Sequence, residues 1–235
     1  MSSAENEGPQ HFLNAFSDPE KVGHYADRLR RFVPGLDGLH RMTGILLAER
    51  APENAKILVL GAGGGLELSA MANAHPGWTF VGVDPAAEML RQAGRALGAH
   101  AARAELIEGY IEDAPPGPFD GATCLLTLHF LDAAGRERTV RDIHRRLAPG
   151  APFVAAHSSF PQAPAERGQW LSRYAAYAIA SGADAEHTEK ARDAVGASPN
   201  MLSPEHDEAI LRAGGFTGVS LFYAAFTWRG WVAYA

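Results

Sequence analysis

The chain has 235 residues, of which 46% are hydrophobic, and a formal charge of -6 at neutral pH. This length suits one α/β domain with a cap, and the acidic balance argues against a phosphate backbone as partner, so we expect a small-molecule substrate and no nucleic acid. One cysteine, Cys124, leaves neither an internal disulfide nor a cysteine-based metal site. We therefore predict a cytoplasmic protein without a bound metal.

The first ten residues, "MSSAENEGPQ", are polar and acidic, whereas a signal peptide needs a basic start followed by an apolar stretch. No run approaches the roughly 18 apolar residues of a membrane span. We expect no contact with a membrane. The sequence does not fix the oligomeric state, and a homodimer is compatible with it.

The N-terminal region reads as a helical cap. The first 18 or so residues are polar and are expected to fray, and the next 30 mix apolar and basic positions at helical spacing around a break at Pro34-Gly35. This pattern predicts two helices separated by a turn. We assign residues 1–50 to the cap.

From residue 51 onward, short apolar strands alternate with amphipathic helices. The predicted strands are 55–60, 78–84, 104–110, 118–126 and 151–159, and each of the first four is followed by a predicted helix or loop. Parallel neighbours need a crossover long enough to hold a helix, so this rhythm predicts βαβ units on a parallel sheet.

The alternation of predicted strands and helices stops after residue 160. An Ala-rich stretch at about 161–200 reads as a helical insert without a strand, and we expect it to cover the site as a lid. A helix near 203–213 and two strands, 218–226 and 228–235, then close the chain.

The segment "LGAGGGLELS" directly follows the first predicted strand and places Gly61, Gly63 and Gly65 in a G-x-G-x-G spacing. Bare backbone at this point lets a ligand approach and exposes the N-terminal amides of the next helix, although the glycines would also suit a turn without a ligand. Asp84 ends the second strand, about 20 residues later, where a carboxylate can accept both hydroxyls of a ribose. The alternative for Asp84 is a cap of the helix that follows.

These residues resemble motif I and the acidic second-strand residue of the class I S-adenosylmethionine-dependent methyltransferases. A pyrophosphate-binding G-x-G-x-x-G would need glycine where Leu66 stands. Downstream, "IEGYIEDAP" resembles that family's adenine-flanking segment and "FDGATCLLTLHFL" its fourth strand and loop. The resemblance implies a Rossmann-like α/β fold over residues 51–235, with a mostly parallel seven-stranded sheet, an antiparallel C-terminal strand and a helical lid.

Within the superfamily, the chain is most similar to the carboxy-S-adenosylmethionine synthase group, in "RRFVPGLDGLHRMTGILLAER", "LLTLHFLD" and "LAPGAPFVAAHSSF". It departs from that group at Leu36, where an aromatic residue is usual, and at Val59 and Tyr110, where acidic residues are usual. We therefore favour methyl transfer to a small molecule. A synthase that modifies the cofactor, and a non-catalytic or NAD-dependent module, remain the alternatives.

S-adenosylmethionine is the cofactor that the resemblance implies. Its expected contacts lie at the strand ends, at Gly61, Ala62, Gly63, Gly65, Asp84, Pro85, Met89, Gly109, Tyr110, Ile111, Leu126, Thr127 and Leu128.

His129 and His157 follow the fourth and fifth strands and are candidate bases, each with a structural alternative. Methyl transfer can proceed without a base, because the sulfonium is already activated and alignment is the main task. For the substrate we select Tyr25, Arg31, Tyr174 and Arg192, since aromatic faces and positive charge in the cap and insert suit a planar or acidic small molecule.

Overall fold

The computed structural model describes residues 24–235, so the expected fraying of the first residues lies outside the described part of the chain. The helices of the described part are α1 (Tyr25–Phe32), α2 (Leu36–Ala48), α3 (Leu66–Ala74), α4 (Ala87–Leu97), α5 (Ala133–His144), α6 (Pro164–Ala180), α7 (Ala185–Ala197) and α8 (Pro204–Ala213). Its strands are β1 (Lys56–Leu60), β2 (Thr79–Asp84), β3 (Ala104–Glu108), β4 (Gly121–Leu125), β5 (Pro152–Ser158), β6 (Thr217–Ala225) and β7 (Trp228–Tyr234).

One seven-stranded sheet forms the centre of the fold, in the order β3-β2-β1-β4-β5-β7-β6. Strands β1 to β5 are parallel, and β7 runs antiparallel to both β5 and β6. Every residue of β4 and β5 is buried, which explains their continuous apolar runs, because a parallel strand is covered on both faces. The sequence prediction of a mostly parallel seven-stranded sheet with an antiparallel C-terminal strand is confirmed.

Alternate side chains of β1 pack into two separate hydrophobic cores, one on each face of the sheet. Ile57 and Val59 pack with residues of α2, α3 and α4 on one face, and Leu58 and Leu60 pack with residues of α5 and α8 on the other. This alternation follows from the period of two along a strand. The sheet is thus held from both sides, and its carboxyl edge is left for the loops.

The N-terminal helices are fastened to the C-terminal hairpin. Trp228 donates from Nε1 to the carbonyl of Phe32 at 2.9 Å, and the hydroxyl of Tyr223 donates to the carbonyl of Pro34 at 2.6 Å. Leu39 of α2 belongs to the same core as Val59 of the sheet. The boundary at residue 50 stays a prediction, and α2 shares the core of the residues that follow it.

The insert is helical, as its composition predicts, and it consists of the two helices α6 and α7. Helix α6 packs on α1, where the rings of Phe32 and Tyr174 lie 5.6 Å apart. In α7 only Thr188 is buried, so this helix adds little to the core. Within residues 24–235, no helix combines the length and the apolar character needed to cross a membrane.

The turn between β1 and α3 requires glycine at two points. Gly61 and Gly65 have φ of 76° and 79°, in the left-handed region. A Cβ on Gly65 would lie 2.6 Å from the Cα of Ala93 in α4, and one on Gly61 would lie 1.9 Å from Oγ1 of Thr127. The bare turn therefore lets α3 pack against α4 and brings the β4 loop onto β1.

We predict that Gly65→Ala lowers the free energy of unfolding by about 2 kcal/mol or more, because it combines a strained φ with a clash against backbone. Urea unfolding followed by circular dichroism measures this loss. The matched control is Gly168→Ala in α6, where an added Cβ meets nothing within 4 Å. This control should be neutral or stabilising by about 0.5–1 kcal/mol. Equal stability of the two variants would contradict the assigned packing of the turn.

Candidate functional site

A cavity of about 470 Å³ lies at the carboxyl edge of the sheet, where β1, β2, β3 and β4 end. Ligands of open α/β sheets bind at this edge. The residues that line it are Tyr25, Leu60, Gly61, Gly63, Asp84, Pro85, Ala86, Met89, Gly109, Tyr110, Ile111, Glu112, Leu125, Leu126, Thr127, Leu128, Phe130, Leu131, Gly135, Arg138 and Thr139. The structure thus gathers most of the residues selected from the sequence around one cavity.

Asp84 organises the middle of this cavity. Its Oδ2 accepts a hydrogen bond from the Gly63 amide and its Oδ1 accepts one from the Ala86 amide, both at 2.9 Å. Burial raises the pKa of the carboxyl, and the two amide bonds oppose that rise. Each oxygen of an ionised carboxylate can accept two hydrogen bonds, so capping the next turn and binding a diol are compatible roles.

Tyr25 of α1 lies over the glycine turn. A Cβ added to Gly64 would meet Cδ1 of its ring at 3.3 Å, and its side chain packs with Ala86 and Met89. Burial, together with the charge of Asp84, raises the pKa of the phenol, so the hydroxyl stays protonated. The cap therefore contributes one aromatic wall of the cavity.

The segment after β3 forms a second wall. Oδ2 of Asp113 accepts a hydrogen bond from the Tyr110 amide at 2.8 Å and fixes the short 3-10 turn Ile111–Asp113. Ile111 is buried, whereas the Tyr110 side chain is 48% exposed at the cavity rim. An apolar residue and an aromatic edge stand together here, as expected around a flat base.

The loop after β4 forms the floor of the cavity. Leu126 has φ of 57°, a left-handed conformation that is unusual without glycine and that clusters at functional sites. The Thr127 hydroxyl donates to the Leu125 carbonyl at 2.9 Å, which seats this side chain against Gly61. Leu128 follows as a buried apolar residue. Leu126, Thr127 and Leu128, the three consecutive residues of this turn, all line the cavity at the carboxyl edge of the sheet.

Ala62, Gly65 and the two candidate bases do not line the cavity. The ring of His129 packs against Phe130 and meets Trp228 edge-on, with centroids 4.3 and 5.7 Å away. Burial, with the nearby charges of His157 and Arg136, lowers the pKa of His129 to about 3. Its imidazole is therefore neutral at physiological pH but faces the core.

His157 belongs to a buried ionic cluster on the other side of β5. Its Nε2 lies 3.2 Å from Oδ2 of Asp207, outside hydrogen-bonding geometry, and its ring packs on Trp231. Asp207 pairs with Arg136, which also donates to the carbonyls of Leu131 and Asn200. This cluster joins α5, α8 and β5 to the loop that lines the cavity. No general base reaches the cavity from either histidine in the described part of the chain.

Of the four residues selected for the substrate, only Tyr25 reaches the main cavity. Arg31 lines a separate cavity of about 280 Å³ between α1 and the α6–α7 connection. Tyr174 packs on Phe32, and Arg192 is held by Glu189 and Asp193 on the outer side of α7. The roles of these residues in substrate binding stay predictions.

Several lining residues were missed from the sequence. Phe130, Leu131 and Glu112 lie inside quoted motifs but carry no pattern of their own, and Arg138 and Thr139 belong to the amphipathic helix α5. Because α5 packs beside β4, the face of α5 that carries Arg138 and Thr139 lies toward the cavity. Within residues 24–235, no group of three His, Cys, Asp or Glu side chains is placed to hold a metal ion.

Glu67 is a buried carboxyl that interacts electrostatically with Asp84 and that sequence patterns did not reveal. Thr123 of β4 donates to its Oε1 at 2.6 Å, and the side chain is 6% exposed. Burial, and to a lesser degree the charge of Asp84, raises the pKa of Glu67 to about 8, against the hydrogen bond from Thr123. At neutral pH it is mostly a neutral acid.

Comparison with known proteins agrees with this geometry. The profile of a methyltransferase domain matches residues 57–150, from β1 to the turn before β5. Over these residues the chain is similar to methyltransferase domains. The resemblance read from the sequence is thereby confirmed.

Two curated relatives extend the likeness over most of the chain. The carboxy-S-adenosyl-L-methionine synthase of Chromohalobacter salexigens is 28% identical over 229 residues, covering 93% of this chain and 83% of that protein. The synthase of the same name from Methylococcus capsulatus is 27% identical and covers 95% of both. The likeness to the synthase group therefore includes the cap and the insert.

Among solved structures, a putative O-methyltransferase from Nostoc punctiforme superposes with a TM-score of 0.68 at 18% identity. It covers all of this chain, which spans only 64% of that longer protein. At this identity the likeness shows the fold alone.

The buried carboxyl gives a prediction about pH. The pKa of Glu67 is about 8 when folded and near 4.5 in the unfolded chain, so the folded state binds the extra proton between these values. The contribution of Glu67 to the free energy of unfolding is therefore fully present below about pH 4.5 and is lost as the pH rises through 8. We predict that Glu67→Gln resists urea better than wild type at pH 9 and loses that advantage at pH 4.5.

Urea midpoints of the two proteins at both pH values test this prediction. Glu105→Gln on β3, where the side chain is exposed, is the control and should follow wild type at both pH values. A Glu67→Gln advantage of the same size at both pH values would contradict the raised pKa.

Proposed function

We propose that this protein transfers a methyl group from S-adenosylmethionine to a small-molecule acceptor. The observation that carries the proposal is the single cavity shared by the glycine turn, Asp84 and the segment after β3. These three features are far apart in the sequence, and each suits one part of the same elongated nucleoside. The methyltransferase domain match over residues 57–150 supports the same cofactor and favours it over NAD.

The lining residues fit this cofactor. Bare backbone at Gly61 and Gly63 suits the methionine portion, the Asp84 carboxylate suits the ribose hydroxyls, and Ile111 and Leu128 give apolar walls for the base. Ala62 and Gly65 would act by shaping the turn. S-adenosylmethionine supplies a methyl group on a positively charged sulfur, which needs no further activation.

The chain's own task is then to align the acceptor and exclude water. Neither His129 nor His157 lines the cavity, so the acceptor we favour has a nucleophilic atom that is already unprotonated near neutral pH. Tyr25 closes the glycine side, and the helices α6 and α7 are the proposed cover over the acceptor. Arg31, Tyr174 and Arg192 stay proposed substrate contacts, which would require the cover to change position.

Carboxy-S-adenosylmethionine synthesis is the second candidate, and the two full-length relatives favour it. A synthase must balance an added carboxylate beside the sulfonium, and this calls for a fixed cation. Among the cavity-lining residues of the described chain, Arg138 is the one cation, and it lies on α5, away from the glycine turn. Arg192 is engaged with Glu189 and Asp193. Methyl transfer therefore remains our first proposal.

A cytoplasmic location remains a proposal based on the lone buried cysteine, Cys124. The homodimer likewise stays a prediction.

Asp84→Ala should weaken binding of S-adenosylmethionine by about 1–3 kcal/mol, because the ribose hydroxyls lose a charged acceptor. Calorimetry measures the change. The control is Asp120→Ala, which also removes a carboxylate that accepts a backbone amide, that of Lys56 at 2.8 Å, but at the opposite edge of the sheet. Unchanged affinity in Asp84→Ala, or tighter binding of NAD than of S-adenosylmethionine, would overturn the cofactor assignment.

The two reactions differ in the nucleoside that the protein carries. We predict that the purified protein, once denatured, releases S-adenosylmethionine or its demethylated product and no heavier species, as weighed by mass spectrometry. A nucleoside heavier than S-adenosylmethionine by one carboxylate would instead establish the synthase. Arg192→Ala then asks whether that species depends on this arginine.

A further inference from the structure

We infer that Asn200 is a positioning residue that couples the helical insert to the main cavity. A nucleoside bound in the cavity then stabilises one position of the insert, and that position of the insert strengthens nucleoside binding. This inference rests on the proposed function, because it takes the main cavity as the cofactor site. It concerns a residue that no sequence motif selected.

The two ends of the insert are joined to each other in a stem, which consists of residues 160–162 and 196–202. The Phe160 amide donates to the Leu202 carbonyl at 3.2 Å, so the chain entering the insert is bonded to the chain leaving it. The hydroxyl of Ser159 donates to the same carbonyl at 3.4 Å. The stem therefore connects both α6 and α7 to the end of β5.

Arg167, in the first turn of α6, strengthens this stem. Its Nη1 donates to Oε1 of Gln162 at 2.9 Å, and its Nη2 donates to the Gly196 carbonyl at the end of α7 at 2.8 Å. Nε2 of Gln162 in turn donates to the Phe160 carbonyl at 2.6 Å. Because these bonds cross between the two helices, α6 and α7 are fastened together at their base.

Asn200 links the stem to the wall of the cavity. Its Nδ2 donates to the carbonyl of Phe130 at 3.0 Å, and its own carbonyl accepts from Nη2 of Arg136. Nε of Arg136 donates to the carbonyl of Leu131 at 3.2 Å. Phe130 and Leu131 both line the cavity. One residue of the stem is thus bonded, through its side chain and its backbone, to the segment that carries two lining residues.

Arg136 holds this attachment in place. The side chain is fully buried, and its Nη1 pairs with Asp207 of α8. A buried guanidinium is costly to leave without partners, so Arg136 is kept on the acceptors that surround it, including the Asn200 carbonyl. The next residue along the chain toward the N-terminus, Gly135, lines the cavity. The first turn of α5 and the stem therefore share one fixed support.

These contacts make the coupling reciprocal. A ligand in the cavity contacts the side chains of Phe130 and Leu131 and favours one position of their backbone carbonyls, and the bonds from Asn200 and Arg136 transmit that position to the stem. Coupling between two sites acts with the same factor in both directions. Whatever a nucleoside adds to the stability of the insert, the insert adds to the affinity for the nucleoside.

The test combines hydrogen exchange, read by mass spectrometry, with calorimetry, using S-adenosyl-L-homocysteine as the ligand. In wild type, saturating ligand should slow amide exchange in residues 164–197 by about 5-fold or more, the lower end of coupling between sites. Asn200→Ala should remove most of this slowing and weaken ligand binding by about 3- to 10-fold, the scale of one hydrogen bond. Asn200→Asp keeps the size but replaces the donor with an acceptor, so it should fail in the same way.

Two control variants separate coupling from a general loss of stability. Gln162→Ala removes bonds within the stem but leaves Asn200 in place, so it should speed exchange of the free protein's insert and keep the slowing by ligand. Asn73→Ala removes a bond of the same kind, from a side-chain amide to the Ser69 carbonyl at 2.7 Å, on the exposed side of α3. It should keep both the affinity and the slowing.

Three outcomes would contradict this inference. If wild type binds the ligand without any change in exchange of the insert, the coupling does not exist, although the cofactor assignment stands. If Asn200→Ala keeps the full slowing, the coupling passes through the packing of α6 on α1 and not through Asn200. If wild type does not bind the ligand, the proposed function fails and this inference fails with it.

Discussion

The site depends on one carboxylate that ties two turns together. Asp84 ends β2, and its two oxygens hold the Gly63 amide in the turn after β1 and the Ala86 amide at the start of α4. The loops that follow β1 and β2, two neighbouring strands of the sheet, are therefore both held at Asp84. Because these amides are satisfied, the backbone of the glycine turn is kept open toward the cavity.

The floor of the cavity follows from the same turn. Gly61 has room for no side chain, because Thr127 fills the space beside it, and Thr127 is aimed there by the left-handed backbone of Leu126. Leu126 in turn donates its amide to the Ala156 carbonyl of β5 at 2.5 Å. The strain at Leu126 is thus held by a bond to the next strand, and three strands together fix one surface.

The sequence was sufficient for the sheet and for the part of the site that backbone patterns define. Apolar runs with glycine stops identified β1 to β5, and the linked spacing of Gly61 and Asp84 identified the edge where the cavity lies. Side-chain direction was not accessible in the same way. His157 follows β5 as a base would, but its place in the buried cluster with Asp207 depends on α8, which comes 50 residues later.

Residues contributed by helices were harder to select than residues at strand ends. Arg138 reaches the cavity because α5 packs beside β4. The amphipathic pattern of α5 does not predict which of its polar residues will lie at the rim of the cavity. Arg192 shows the reverse case, since a cation in the insert suggested a substrate contact but two acidic neighbours on α7 bind it. Distances along the chain predict contacts across a strand turn better than contacts across packed helices.

The departure at Val59 has an electrostatic counterpart. Val59 pairs in register with Thr123 of β4, and Glu67 reaches that threonine from α3 with a hydrogen bond of 2.6 Å. A carboxyl thus lies beneath the glycine turn although the strand position is apolar. Because the pKa of Glu67 is about 8, it is mostly neutral at pH 7 and leaves Asp84 as the buried negative charge of the described cavity.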